Sequence, residues 1–118
     1  IDTYYAADRR RVYITNGNNP VLLSWDIDRR DIDRVLQFAG WDGVEMGDTT
    51  VNVARSRSRQ RLYLWLKASP NRIVEVDEAT WQPLRSIRPS PDAYAMEISP
   101  DERFLLAASF FRGRIYRY

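Results

Sequence analysis

Arg61-Leu62-Tyr63-Leu64 falls on Arg103-Phe104-Leu105-Leu106 at an offset of 42. Carried forward without a gap, the same offset places Asn71-Arg72-Ile73-Val74 on Gly113-Arg114-Ile115-Tyr116. Carried backward, it places Ala54 and Ser56 on Met96 and Ile98. One offset that serves three segments is the mark of an internal repeat, which chance similarity between β-rich runs does not produce readily. A third copy lies upstream. Arg11-Val12-Tyr13 falls on Arg61-Leu62-Tyr63 at offset 50, and Asp28 through Phe38 falls on Asp77 through Ile87 at offset 49. The one-residue change is expected in the turn around Gly17 to Pro20, where insertions cost little. The longer first spacing reflects extra residues between Ala39 and Asp48, a stretch holding Gly40, Gly43 and Gly47.

Each unit reads as strands. Val12–Thr15, Leu62–Leu66 and Phe104–Ala108 are short apolar runs of the kind buried on both faces of a sheet. Ile73–Val76 and Ile115–Tyr118 are more mixed, as half-buried strands are. Turn chemistry separates them: Ser99-Pro100-Asp101-Glu102, Asn16-Gly17-Asn18-Asn19-Pro20 and Ser69-Pro70-Asn71 combine a proline of fixed φ with side chains that bond their own backbone. No stretch holds a helical period without a breaker; Arg29 to Phe38 is where a turn of helix is least firmly excluded. Repeats of about 40–45 residues with four short strands are the mark of β-propeller blades. Strand A of each blade is expected over Thr3–Ala7, Thr50–Ala54 and Ala93–Ile98. Strand B is expected over Val12–Thr15, Leu62–Leu66 and Phe104–Ala108. Strand C is expected over Leu22–Ile27, Arg72–Val76 and Arg114–Tyr118, and strand D over Arg34–Phe38 and Trp81–Ile87. The fold class is therefore all-β and propeller-like, with about three four-stranded antiparallel blades near residues 1–48, 49–91 and 92–118, the last without its outer strand.

The motifs carry a resemblance. Tyr94 through Leu105 resembles the "SPDG" step of YVTN-type β-propellers, and the chain also has features of WD40-like repeats. Val12-Tyr13-Ile14-Thr15-Asn16 is similar to the motif that names the YVTN type, and Val74 through Trp81 resembles its passage between strands C and D. These motifs are structural punctuation, so the resemblance implies architecture. The family includes cell-surface and periplasmic binding proteins, and related propellers serve amine dehydrogenases or resemble lactonases. The chain departs from the pattern at Arg55 to Arg61, where Arg-Ser-Arg-Ser-Arg-Gln-Arg replaces the proline-aspartate lock. That loop is expected to be more mobile or more specialised than its counterparts.

Composition narrows the chemistry. The 118 residues are 44% hydrophobic and 29% charged, a globular balance that argues against disorder. With no cysteine and no histidine, thiolate zinc sites, thiol nucleophiles and the commonest general base are excluded. No apolar run approaches the ~18 residues of a membrane span. No cofactor is indicated and no metal site is expected. The chain starts at Ile1 without a methionine, which points to a processed product or a piece of something longer. Seventeen of its eighteen cations are arginine, Lys67 being the exception, yet the net charge is only +2. A nucleic-acid or anionic partner stays open, but the clustered basic face of nucleic-acid binders is not evident.

Three features stand out as candidate sites. If extended, Arg55, Arg57, Arg59 and Arg61 alternate onto one side, where they could grip an anion; Arg61 is set apart as structural, because Arg11 and Arg103 occupy its place in the other units. Asp26, Asp28, Asp31 and Asp33 crowd one strand end, but they lack the order of a calcium loop and sit among Arg29, Arg30 and Arg34, so a turn with internal ion pairs is favoured. Aromatic side chains are expected to fill the gaps between blades. Two aromatic segments fit a binding surface better: Phe110-Phe111-Arg112 in a turn between strands, and the inter-blade loop carrying Trp41, Asp42, Glu45 and Asp48.

The leading expectation is a non-catalytic binding or scaffold module in the periplasm or outside the cell. Nearly three blades leave two open edges, so another chain or copies of itself should complete the propeller. The alternatives are a subunit of a periplasmic propeller enzyme, amine-dehydrogenase-like or lactonase-like, and an anion or nucleic-acid binder acting through Arg55, Arg57 and Arg59. An enzyme would have to work with carboxylates, tyrosine, Lys67 or a metal. Nothing spaces Glu45, Asp48 or Glu97 for acid–base work.

Overall fold

The structure, a computed structural model, describes residues 2–91, 93–109 and 113–118. Among these residues, eleven strands form three antiparallel sheets in chain order. The first sheet holds β1 (Thr3–Ala6), β2 (Arg11–Thr15), β3 (Val21–Asp26) and β4 (Asp31–Gln37). The second holds β5 (Thr49–Ser56), β6 (Arg61–Lys67), β7 (Arg72–Asp77) and β8 (Gln82–Ile87). The third holds β9 (Ala93–Ile98), β10 (Leu105–Ser109) and β11 (Arg114–Arg117). A single 3-10 turn, Ala7–Arg9, is the one helical piece among the described residues, and none of these is a helix long and apolar enough to cross a membrane. The segment where a helical turn was least excluded is β4.

Turns close on residues in the left-handed region. Arg10 (φ 51°) and Gln60 (φ 53°) end the four-residue turns between β1 and β2 and between β5 and β6. Arg30 (φ 55°) and Trp81 (φ 60°) end the turns after β3 and β7. In both of those turns an aspartate fastens the backbone. Asp26 Oδ1 accepts the N–H groups of Asp28 and Arg29, and Asp77 Oδ1 accepts those of Ala79 and Thr80. Such bonding is why aspartate starts turns.

This geometry corrects the alignment of the outer strands. Leu22 pairs with Leu36 while Ile73 pairs with Ile87, and a β-bulge follows Ser24 in one sheet and Glu75 in the other. Their offset is therefore 51, with Asp26 matching Asp77 in place of Asp28. Two nearby aspartates made the sequence degenerate, and hydrogen bonding decides between them. The inserted residue also changes place. Thr15 pairs with Leu22 but Trp65 with Ile73, so the extra residue sits in the second sheet's turn around Pro70, and the Gly17–Pro20 turn is the shorter one.

Two seams hold the sheets face to face. The first is the larger: Tyr13, Leu22, Leu36 and Phe38 pack against Val53, Leu62, Leu64, Val74, Val76 and Trp81. The second joins Ala54, Trp65 and Ile73 to Ala93, Met96, Leu105 and Ala107. The middle sheet is thus buried on both faces, which explains the unbroken apolar run of β6. At the inner strands a polar thread ties all three sheets. Asp2 Oδ2 accepts from Asn52 Nδ2 at 2.8 Å, and Asn52 Oδ1 accepts from the Met96 N–H at 3.0 Å.

Candidate functional site

Arg55 does not join Arg57 and Arg59 on one exposed side. It is buried, at 7% exposure, in the seam between the first two sheets. Its Nη1 and Nη2 donate to the two oxygens of Asp8 at 2.6 and 2.9 Å, and Nη2 also donates to Glu78 Oε1 at 3.0 Å. Its Nε lies 2.8 Å from Glu78 Oε2, the oxygen that also accepts the Tyr13 hydroxyl. Glu78 is 2% exposed and Tyr13 is 3% exposed. A buried guanidinium needs partners, and those of Arg55 stand 47 and 23 residues away in the chain, which overrides simple alternation. Arg57 and Arg59 are exposed, and Arg57 Nε lies 3.5 Å from Asp8. The loop read as more mobile or more specialised than its counterparts holds a four-residue turn of the same length as that in the first sheet. It is tied by Glu102, which accepts the Ser58 N–H.

The electrostatics follow from this packing. Hydrogen bonding to Arg55 lowers the Asp8 pKa from 3.8 to about 2, against a smaller opposing effect of burial. Burial raises the Tyr13 pKa, and its hydrogen bond to Glu78 raises it further. Burial alone would lower the Arg55 pKa, but the bonds to Asp8 and Glu78 outweigh it and raise it. Because the folded-state pKa of Asp8 is depressed, its stabilising effect is complete above its unfolded value and is lost as pH falls through about 2. Lowering the pH from 5 to 2 should weaken the seam. Urea titrations at both values should show Asp8→Asn to be less acid-sensitive than the parent chain.

Beside this network lies a small cavity of about 80 Å³ lined by Arg9, Tyr13, Ser24, Arg34, Glu78 and Trp81, among others. The ring of Trp81 lies 5.6 Å from that of Tyr13, with the Arg34 guanidinium 5.8 Å from it. Arg34 also donates to the backbone carbonyls of Glu78 and Ala79. The turn carrying Glu78 and Trp81 is therefore a plug from the second sheet seated in a socket on the first. A bulky residue with positive φ is strained, and here the seated indole accompanies it. Sequence reading missed Glu78 and Trp81 as a pair; the signal was their three-residue spacing inside a turn that begins with Asp77.

The inter-blade loop is clamped to the second sheet. Trp41 packs on the first core and meets Phe38 edge-on at 6.4 Å. The Asp42 carbonyl accepts from Arg72 Nη1, and its carboxylate accepts from Ser86 Oγ at 2.6 Å. Gly43 has φ 78°, the left-handed region that favours glycine, and it lies beside the Arg72 guanidinium. Asp48 accepts the Glu45 N–H at 2.8 Å and so braces the loop. Glu45 and Met46 remain exposed. Phe110, Phe111 and Arg112 lie outside the described residues.

The acidic cluster disperses into ion pairs. Asp28 faces Arg10 at 2.7 Å, and Arg11 bridges Asp26 at 3.2 Å and Asp33 at 2.8 Å. Arg61 repeats the pairing of Arg11 with Asp26 through Asp77, the match of Asp26, and adds Glu75, the match of Ser24. Arg103 instead lies over the Phe104 ring at 5.4 Å. Among the described residues no group of acidic side chains is placed to hold a metal ion.

Two further features of the described residues bear on binding. One is a cavity of about 250 Å³ between the second and third sheets, lined by Arg59, Tyr63, Glu75, Arg85, Phe104 and Tyr118, among others. The other is the free face of the first sheet. Cross-strand pairing sets Tyr5, Val12, Trp25 and Ile32 in one row, and Thr3, Ile14, Leu23 and Val35 in the next. Tyr5 and Val35 are each 58% exposed and Ile32 is 44% exposed.

Successive four-stranded antiparallel sheets, stacked face to face, are the arrangement of propeller blades, and solved structures agree. The beta-propeller domain of Myceliophteria thermophila Cps50 (Swd1) matches 98% of this chain with 37% of its own, at TM-score 0.69 and 14% identity. This chain has the β-propeller fold. The RRP9 WD40 repeats match 98% of it with 35% of their own chain, at TM-score 0.67 and 10% identity. Kuenenia stuttgartiensis hydrazine synthase matches 91% of it with 31% of its own chain, at TM-score 0.68 and 16% identity. The propeller segment thus spans about a third of the length of these structures. At such identities the likeness concerns the fold alone, and one of the three is part of an enzyme. No protein-family model matches the chain, and no curated protein matches it.

Proposed function

We propose that this propeller segment is a non-catalytic scaffold that binds other protein, and that a further β-sheet packs on the free face of its first sheet. One comparison inside the chain carries the reading. Leu62, Leu64, Val74 and Val76 are fully buried against the first sheet. Their equivalents by register are Val12, Ile14, Leu23 and Trp25, which face outward on that sheet. The same positions are therefore apolar where they are fully covered and apolar where they are only half-buried. Leaving a large aliphatic side chain exposed forgoes about 1.5–3 kcal/mol, and contiguous apolar patches mark interaction sites.

The test is native mass. At tens of micromolar the chain should self-associate through this face, as measured by sedimentation. Ile32→Lys combined with Val35→Lys should return it to 13.9 kDa with unchanged far-ultraviolet circular dichroism. A parent chain that stays monomeric, folded and free of hydrophobic-dye binding would overturn the reading.

A further inference from the structure

The open cavity between the second and third sheets repeats the socket that the Glu78–Trp81 turn fills between the first and second. On the first sheet, Tyr13, Ser24 and Arg34 stand side by side in one cross-strand row. On the second sheet the register-equivalent row is Tyr63, Glu75 and Arg85. Arg9, in the turn before β2, corresponds to Arg59, in the turn before β6. In the first socket, Tyr13 and Arg34 hold the Trp81 ring, while Arg9 Nε lies 3.8 Å from the Glu78 carboxylate. In the second, the matching side chains line a cavity of about 250 Å³, roughly three times the volume left beside the seated plug at about 80 Å³.

We infer that this second socket receives a β-turn from a polypeptide segment outside the described residues, carrying a carboxylate three residues before an aromatic side chain. This rests on the proposed scaffold reading and names the occupant of its other end. The occupant's chemistry is read from the chain's own plug, Glu78-Ala79-Thr80-Trp81. The aromatic ring packs on Tyr63 beneath Arg85, as Trp81 does on Tyr13 beneath Arg34. The carboxylate faces Arg59.

Charge supports that choice. Arg59, Arg85 and Arg103 line the cavity against Glu75 and Glu102. Glu75 is already shared by Arg61 and Arg85, and Glu102 accepts the Ser58 N–H. No ion pair to Arg59 or Arg103 is found among the described residues. The floor is apolar, with Ile73, Ile98 and Leu105. The way in is also suited to a strand: β11 is the outermost strand of the third sheet, and Tyr118, which follows it, lines the cavity. A strand added to an open edge gains main-chain hydrogen bonds, and its side chains supply specificity.

The experiment uses a synthetic peptide copying residues 75–87, labelled for fluorescence anisotropy and titrated with the 118-residue chain. Binding should saturate at micromolar concentrations. Replacing the peptide's tryptophan with alanine should weaken it by at least about tenfold. Arg85→Glu in the chain should do the same, and this exposed position should not disturb folding. Arg59→Glu should weaken the parent peptide but restore binding to a peptide whose first-turn glutamate, the copy of Glu78, is lysine. No binding, or binding indifferent to both the tryptophan and Arg85, overturns the inference. Failure here with association through Ile32 and Val35 intact would leave the scaffold reading standing. Peptide binding by a chain that never associates would sink that reading and spare the socket.

Discussion

Glu78→Ala should destabilise the chain by about 3–5 kcal/mol, read as a fall in the urea midpoint with little change in slope. The carboxylate is almost wholly buried and serves three groups: Arg55, the Tyr13 hydroxyl and, more distantly, Arg9. Truncating it leaves Arg55 in the seam with Asp8 as its remaining carboxylate partner. It also leaves the Tyr13 hydroxyl without its acceptor. The cost comes from stranding these groups, since the desolvation of two buried charges can consume most of what their attraction returns. That account makes a second demand. Arg55→Met combined with Glu78→Leu should cost less than the two single losses together, with a coupling of more than about 1 kcal/mol. If Glu78→Ala alone costs less than about 1 kcal/mol, the network is peripheral to the fold.

The same network shows what a linear reading can and cannot reach. The inner strands were legible because they are short apolar or mixed runs bracketed by turn chemistry that acts locally, such as Asn16–Pro20 before β3 or Ser99–Glu102 before β10. The repeat then supplied what no single strand could, the stacking of sheets. Arg55 was misread because its environment is set by Asp8 and Glu78, which arrive from another sheet and a distant turn. A run of arginines looks alike whether its members are solvated or buried. The outer-strand offset slipped by two for a related reason: Asp26 and Asp28 are interchangeable as letters, and only one has a carboxylate placed to fasten the turn. The inter-blade loop was legible as a special segment. Its clamp through Arg72 and Ser86 was not, because both partners lie on the neighbouring sheet.

The seams differ in strength, and this leads to the other large effect. Trp65→Ala should cost about 3–5 kcal/mol at the second seam and should loosen the third sheet selectively. Trp65 lies on β6 at 3% exposure and is the largest side chain in a cluster otherwise built from Ala54, Ile73, Ala93, Met96, Leu105 and Ala107. Three of those six are alanines, and the larger neighbours Val51, Tyr63, Ile98 and Tyr116 are only partly buried at the cluster's edge, so the core itself has little to fill the space an indole leaves. The first seam contains Phe38, five leucines and Trp81, and Trp65 points away from it. Amide hydrogen exchange separates the two regions. Protection should collapse across β9 and β10 while β2, β3 and β7 keep most of theirs. Uniform loss over all three sheets would mean that they unfold as one unit. Unchanged protection in β9 would mean that the polar thread from Asn52 to Met96, with the backbone it fixes, holds the third sheet without the indole.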